Sequence, residues 1–363
     1  MRLLVVGTMM ALALAAAWAE DGVRWIDGRD LPTEGRAFRE TIGGPYGRVP
    51  LSFADRVTPA DRLHGQDSCG VTFRFRTDSR KLRFRWTLGN AGRFVADRYM
   101  TQMAMGGIDV YVENAEGCHL HNDADSHGGP DIGKPDAATE YSVPWTPGDT
   151  AIVYLPVRGI VTSFSLGIDE GSKVERSPRR RQPQPKPVVV YGTSVMHGGC
   201  VSRPGLVITT WAARLLDVEF VSLAFSGSGK MEPVMSELVA ETDASVYVLE
   251  CLGNLKLAEL KERCEPFLCD LKRRRPETPI LLCENCDVRQ DEWRRFQRGV
   301  YDKLKAEDPR YWANLHYLAR EQWLPLDWDL TLDRTHPNDA GSYFASRALA
   351  KEVGRLLGIE PKH

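Results

Sequence analysis

The sequence has almost no net charge: 47 Lys and Arg stand against 49 Asp and Glu, a formal −2 at pH 7. That balance offers no field that would gather nucleic acid. Compositional extremes are also missing. Hydrophobic residues at 42% and charged residues at 26% argue against both wholesale disorder and a membrane-embedded body. The apolar run Leu3 to Ala17 is shorter than the roughly 20 residues that cross a bilayer. With Arg2 ahead of it and Ala17-Trp18-Ala19 behind, it reads as an export signal over residues 1–19. No Cys follows that run to carry a lipid. The eight cysteines lack the spacing of a disulfide framework, although an exported chain permits disulfides. Cys283 and Cys286 form one close pair, but Cys264 and Cys269 make a poor second one, so a zinc site is not expected. His119, His121 and His127 beside Asp123 and Asp125 fall in a stretch rich in turn residues, which reads as a solvated loop.

What is present divides into two halves. At 363 residues the chain exceeds one ordinary core, and two domains are expected. From about Trp25 to Asp169 the apolar residues recur with period two, as in Val71 to Arg76 and Leu82 to Trp86. Further strands are expected at Ile108 to Glu113, Thr150 to Pro156 and Thr162 to Gly167. Without convincing amphipathic helices, this half predicts an antiparallel β-sandwich, jelly-roll-like, over residues 20–170. Residues 171–187 then change the composition abruptly: Ser177 to Pro187 combines four prolines with a run of arginines and reads as an extended, exposed linker.

From residue 188 to 363 apolar runs alternate with helical patterns. Val188 to Tyr191, Phe220 to Ala224, Val246 to Cys251, Ile280 to Cys283 and Asn314 to Leu318 are expected strands. Leu206 to Leu216, Ala258 to Lys272, Asp291 to Lys305 and Asp339 to Leu357 are expected helices. Such alternation implies right-handed crossovers and a parallel sheet covered on both faces, with an active site where strands end and helices begin.

Four signals fall at such ends. Gly192-Thr193-Ser194 closes the first apolar strand and presents Ser194 as a nucleophile, although Met196 replaces the glycine an α/β-hydrolase elbow requires. Phe225-Ser226-Gly227-Ser228-Gly229 is a small-residue loop whose amides can approach an oxyanion. It fails as a phosphate loop because Ala224 and Met231 occupy required positions. Asn254 places an amide donor at a third strand end. Asp333-Arg334-Thr335-His336-Pro337 precedes the last helix and supplies a base with a carboxylate to orient it.

Together these four blocks resemble the SGNH hydrolases, also called GDSL-like esterases. The Ser block departs by Thr193 for Asp, and the Gly-x-Asn-Asp block is reduced to Gly253-Asn254-Leu255. The Asp-x-x-His-Pro block is intact. The segments Tyr191 to Ser194, Gly198 to Gly205 and Gly227 to Pro233 are similar to a bacterial two-domain subgroup. Its front-domain signature, Gly-x-Asp-Leu-Tyr, is similar to Gly107-Ile108-Asp109-Val110-Tyr111. The resemblance implies a flavodoxin-like three-layer α/β hydrolase domain behind a β-sandwich. It implies Ser194, His336 and Asp333 as catalytic residues, and Ser194, Gly227 and Asn254 as the oxyanion hole. That chemistry requires no metal or organic cofactor. The expected substrate is an O-acyl, foremost O-acetyl, ester on carbohydrate, met outside the cytoplasm in a periplasmic or extracellular setting. Alternatives are a lipid or aryl esterase with the same residues, or a noncatalytic glycan-binding protein on the same fold. The front domain is expected to present substrate and to be separable from the chemistry.

Overall fold

A computed structural model describes residues 22–362 apart from 90–98, 122–137, 178, 180, 182–185, 288 and 326. The expected export signal and the residues His127, Asp123 and Asp125 lie outside the described residues. Among those described, no helix is long and apolar enough to cross a membrane.

Among the described residues the front half carries ten strands: β1 (Val23–Asp27), β2 (Thr33–Glu34), β3 (Thr72–Thr77), β4 (Lys81–Leu88), β5 (Asp109–Asn114), β6 (Gly117–Leu120), β7 (Thr139–Pro144), β8 (Thr150–Tyr154), β9 (Val161–Asp169) and β10 (Val174–Arg176). They form two antiparallel sheets. One has the order β1-β9-β4-β7; the other runs β10-β3-β8-β5-β6, with β2 added on β3. The period-two pattern is the cause. Along β4, Leu82, Phe84, Trp86 and Leu88 are buried while Arg83, Arg85 and Thr87 are only partly covered, so one face supplies the core. Two short helices, α1 (Pro59–His64) and α2 (Gln102–Gly106), interrupt a half in which none was expected. Each is started by a threonine whose side chain caps the first turn, Thr58 and Thr101.

The back half is a five-stranded parallel sheet: β11 (Val188–Gly192), β12 (Phe220–Ala224), β13 (Val246–Glu250), β14 (Ile280–Cys283) and β15 (Leu315–Leu318), in the order β12-β11-β13-β14-β15. That is the doubly wound, flavodoxin-like order the resemblance implied, on the parallel sheet the alternation implied. The helices are α3 (Ile208–Leu216), α4 (Pro233–Ala240), α5 (Leu257–Arg274), α6 (Asp291–Glu307), α7 (Arg320–Trp323) and α8 (Asp339–Leu357). Val188 and Val190 face a core shared with α3 and α8. Val189 and Tyr191 face the opposite core, shared with α4, α5 and α6. Alternate residues of one strand thus fill two layers.

Between the halves the chain is anchored at Arg179. Arg179, in the segment read as an exposed linker, has a buried guanidinium 2.8 Å from Glu34 and donates to the Ala213 carbonyl at 3.2 Å. A charge that meets a carboxylate at the seam is more stable there than its proline-rich neighbourhood suggests. Strand β10 also extends the front sheet beyond residue 170.

The two halves also share their cores. Ile42, Val49, Phe53 and Val57, all from the front half, belong to the α4–α6 core, while Val201, Leu206 and Val207 of the back half belong to the sandwich core. The motif Gly107 to Tyr111 is the clasp between them. The fully buried Asp109 accepts from the Gly205 N–H at 2.7 Å and from Arg203 at 2.9 Å. Tyr111 accepts from the same guanidinium at 2.7 Å. A Cβ on Gly205 would lie 2.5 Å from the Tyr111 ring, so this close approach requires glycine.

Candidate active site

Strand β11 ends at Gly192, and the next two residues turn the chain over the carboxyl edge of the sheet. Ser194 Oγ lies 2.7 Å from His336 Nε2. His336 Nδ1 lies 2.8 Å from Asp333 Oδ2. The other oxygen of that carboxylate accepts the backbone N–H groups of His336 at 2.8 Å and Thr335 at 3.0 Å. Burial pushes the Asp333 carboxyl upward, but the His336 amide and ring together hold it below the usual carboxylate range. Asp333 is therefore charged and oriented toward the ring, as an imidazole that must accept a serine proton requires.

The loop carrying these groups is built locally. Leu332 N donates to the His336 carbonyl at 2.9 Å, Arg334 N donates to Thr331 Oγ1 at 3.0 Å, and Arg334 takes a left-handed φ of 69°. Asn338 then caps α8, accepting from the Gly341 N–H at 3.0 Å. On the other side of the ring, a Cβ on Gly199 would meet His336 Cδ2 at 3.1 Å and the Ser194 carbonyl oxygen at 3.1 Å. Glycine there leaves room for the imidazole.

The remaining expected residues converge from β12 and β13. Gly227 is exposed, has φ 69°, and nothing stands within 4 Å of where a Cβ would be. Asn254 Nδ2 donates to the Ser228 carbonyl at 2.7 Å, which ties the Asn254 turn to the Gly227 loop. One amide proton is used there, and the group carries two. Gly229, φ 74°, lets that loop close on β11: a Cβ would stand 2.4 Å from the Gly192 carbonyl oxygen.

The two departures from the motif have physical replacements. Thr193 donates from Oγ1 to Glu250 Oε2 at 2.7 Å, with its N–H 3.2 Å from the same oxygen. Glu250 is wholly buried; burial pushes its carboxyl up to about 7 against the pull of the Thr193 hydrogen bonds, and Oε1 has no partner. Leu255 is buried in the α4–α6 core, and its carbonyl accepts from Trp293 at 2.8 Å.

Glu250, Arg48 and His197 went unnoticed in the sequence. The only hint for Glu250 is a charged residue closing the apolar run Val246 to Leu249. His197 lies just past Ser194 and is fully buried; nothing in the sequence near Arg48 points to the site. The eight cysteines are all free thiols, with Cys283 and Cys286 buried. His121 Nε2 lies 2.8 Å from the Pro144 carbonyl oxygen.

Comparison with known proteins speaks to the family and the fold. Residues 185–353 match the model of the GDSL-like Lipase/Acylhydrolase family. Residues 23–174 match the model described as the N-terminus of Esterase_SGNH_hydro-type. No curated protein matches the sequence. A solved structure from Bacteroides ovatus, described as a GDSL-like lipase, is similar with TM-score 0.79 at 23% identity, covering 94% of this chain and 100% of its own. A salicylyl-acyltransferase from a tetracycline biosynthetic pathway gives TM-score 0.69 at 20% identity, with 93% and 98% covered. A family two carbohydrate esterase from Cellvibrio japonicus gives TM-score 0.58 at 13% identity, again with 93% and 98% covered. At these identities the structural likenesses speak for the fold.

Proposed function

Because the chain belongs to the two-domain SGNH (GDSL-like) hydrolases and is a carboxylic ester hydrolase, we propose that it removes O-acyl groups, foremost acetyl, from carbohydrate through an acyl-enzyme on Ser194. The observation that carries the reading is the continuous hydrogen-bonded chain Ser194, His336, Asp333 at the carboxyl edge of the parallel sheet. In this reading His336 takes the Ser194 proton as Oγ attacks the ester carbonyl. The tetrahedral oxyanion is met by the N–H groups of Ser194 and Gly227 and by the Asn254 amide. Collapse breaks the bond to the sugar oxygen, which takes the proton from His336 and leaves as the sugar hydroxyl. Water activated by the same imidazole then releases the acid and restores Ser194.

The carbohydrate assignment draws on the subgroup resemblance and on the likeness to proteins named as carbohydrate esterases, the Cellvibrio japonicus enzyme and an acetyl xylan esterase from Butyrivibrio proteoclasticus. Export of the chain is part of the proposal, based on residues 1–19. The test compares acetate release from acetylated xylan with hydrolysis of p-nitrophenyl esters from acetyl to octanoyl, for the wild type and Ser194→Ala. Acetate release that Ser194→Ala abolishes, with rates falling as the acyl chain lengthens, is expected. A preference for long chains would make it a lipid or aryl esterase. Glycan binding with no hydrolysis of any ester would make it a noncatalytic binder.

A further inference from the structure

Arg48 is a charged residue of the front half with only 3% of its surface exposed. A guanidinium in such a place is tolerated only if its donors are satisfied, and it carries five N–H groups in a rigid fork. Nε donates to the Asp67 carbonyl at 3.0 Å. Nη1 donates to the Ser222 carbonyl at 3.1 Å and the Ala224 carbonyl at 2.7 Å. Nη2 donates to the His64 carbonyl at 2.7 Å and lies 3.0 Å from His197 Nε2. Ser222 and Ala224 belong to β12, the edge strand of the parallel sheet, and Phe225-Ser226-Gly227 follows directly. The guanidinium thus covers the strand edge that leads into the proposed oxyanion loop, and it lies 5.1 Å over the Phe225 ring.

The connection continues through His197, whose N–H donates to the Thr193 carbonyl at 3.0 Å. Its Nε2 faces Arg48 and, at 3.6 Å, Asp67 Oδ2. Its Nδ1 faces Ser226 Oγ at 3.0 Å and Ser226 N at 3.2 Å. With the ring proton on Nδ1, Nε2 accepts from Arg48 and Nδ1–H donates to Ser226 Oγ. With the proton on Nε2, that N–H points to Asp67 and Nδ1 accepts from Ser226. The first tautomer joins Arg48 through the ring to Ser226, whereas in the second the Nε2 proton faces the Arg48 donor and the ring is tied to Asp67 and Ser226 instead. His64, Asp67 and His197 have ligand atoms within 4.8 Å of one another, as a metal site would. The Arg48 cation borders that cluster, 3.0 Å from His197 Nε2 and bonded to the His64 and Asp67 carbonyls.

We infer that Arg48 is a positioning residue for ester hydrolysis, fixing the Gly227 loop against the Ser194 turn through β12 and the His197–Ser226 link. The inference rests on the proposed oxyanion role of Gly227. It also gives the front half a part in the chemistry without any of its residues touching substrate.

The test uses the full chain with a p-nitrophenyl acetate assay, Ser194→Ala as the control, and circular dichroism to establish folding. Arg48→Lys keeps the charge but has three donors for five acceptors, and kcat is expected to fall by roughly 10- to 100-fold with KM within about twofold. Ser226→Ala, which removes the hydroxyl at the far end of the link, is expected to lower kcat by roughly tenfold. The double variant should be no slower than the slower single one, because both break the same connection. Affinity for a boronic acid analogue of the tetrahedral intermediate should fall in step with kcat. A purely structural Arg48 would instead leave kcat per folded molecule unchanged, or give effects that multiply with Ser226→Ala. Either result overturns the inference. If Arg48→Lys does not fold, wild-type kcat in Ser226→Ala overturns it alone. Activity surviving in Ser194→Ala would instead defeat the functional reading underneath.

Discussion

The two sides of Ser194 are assembled in opposite ways. The proposed acid–base side comes from a single turn, with Asp333 and His336 three residues apart and partly exposed. The proposed oxyanion side gathers Gly227, Asn254, the Thr193–Glu250 pair and the Arg48–His197–Ser226 link from four separate stretches of chain, most of them buried. A local site can lose a side chain with little consequence for folding, because few neighbours depend on it. A site gathered from distant segments couples function to the packing of the whole molecule.

The largest expected effect lies on the local side. His336→Ala should lower kcat by about 10⁵-fold or more, and Asp333→Asn by about 10⁴-fold, since the carboxylate orients the ring without transferring the proton. Both variants should melt within a few degrees of the wild type. Steady-state rates with thermal melts check this, and a large loss of stability would erase the contrast. Next comes Asn254→Ala, expected to lower kcat by roughly 10² to 10³, the usual size for one lost oxyanion donor. Because its amide also holds the Ser228 carbonyl, this variant should lose stability too, unlike the turn variants. An unchanged kcat removes Asn254 from the site.

The smallest effect concerns Glu250 and is read in stability. Burial raises its carboxyl to about 7, so between the unfolded value and that point the folded state holds a proton the unfolded chain has lost. Stability from this group is therefore full below about pH 4.5 and declines as pH rises through 7, by about 3 kcal/mol in all. Glu250→Gln should flatten that decline, raising the melting temperature relative to wild type more at pH 8 than at pH 5. Equal slopes for the two proteins would show that the Thr193 partner is not the buried acid described here.

The same contrast governs what the sequence discloses. The parallel sheet was legible because apolar runs such as Val188 to Tyr191, whose residues fill two cores, alternate with helical patterns. The Asp333 to His336 turn was legible because its chemistry is contiguous. Helix α4 was missed: it is short and begins at Pro233 directly after the glycine loop, where no polar face announces it. Arg48 was invisible, since its acceptors are mostly main-chain carbonyls, which leave no trace in side-chain identity. The contact of Arg179 was not legible because proline and arginine composition describes an exposed tether, while the Arg179–Glu34 pair depends on a partner far away in sequence.

The central claim is that Ser194 is the nucleophile, and covalent labelling tests it most directly. Intact protein treated with a fluorophosphonate should gain one adduct, mapped by peptide mass spectrometry to Ser194, with labelling and ester hydrolysis lost together in His336→Ala. An adduct at another serine, or full hydrolysis in protein whose Ser194 is blocked, would contradict the account.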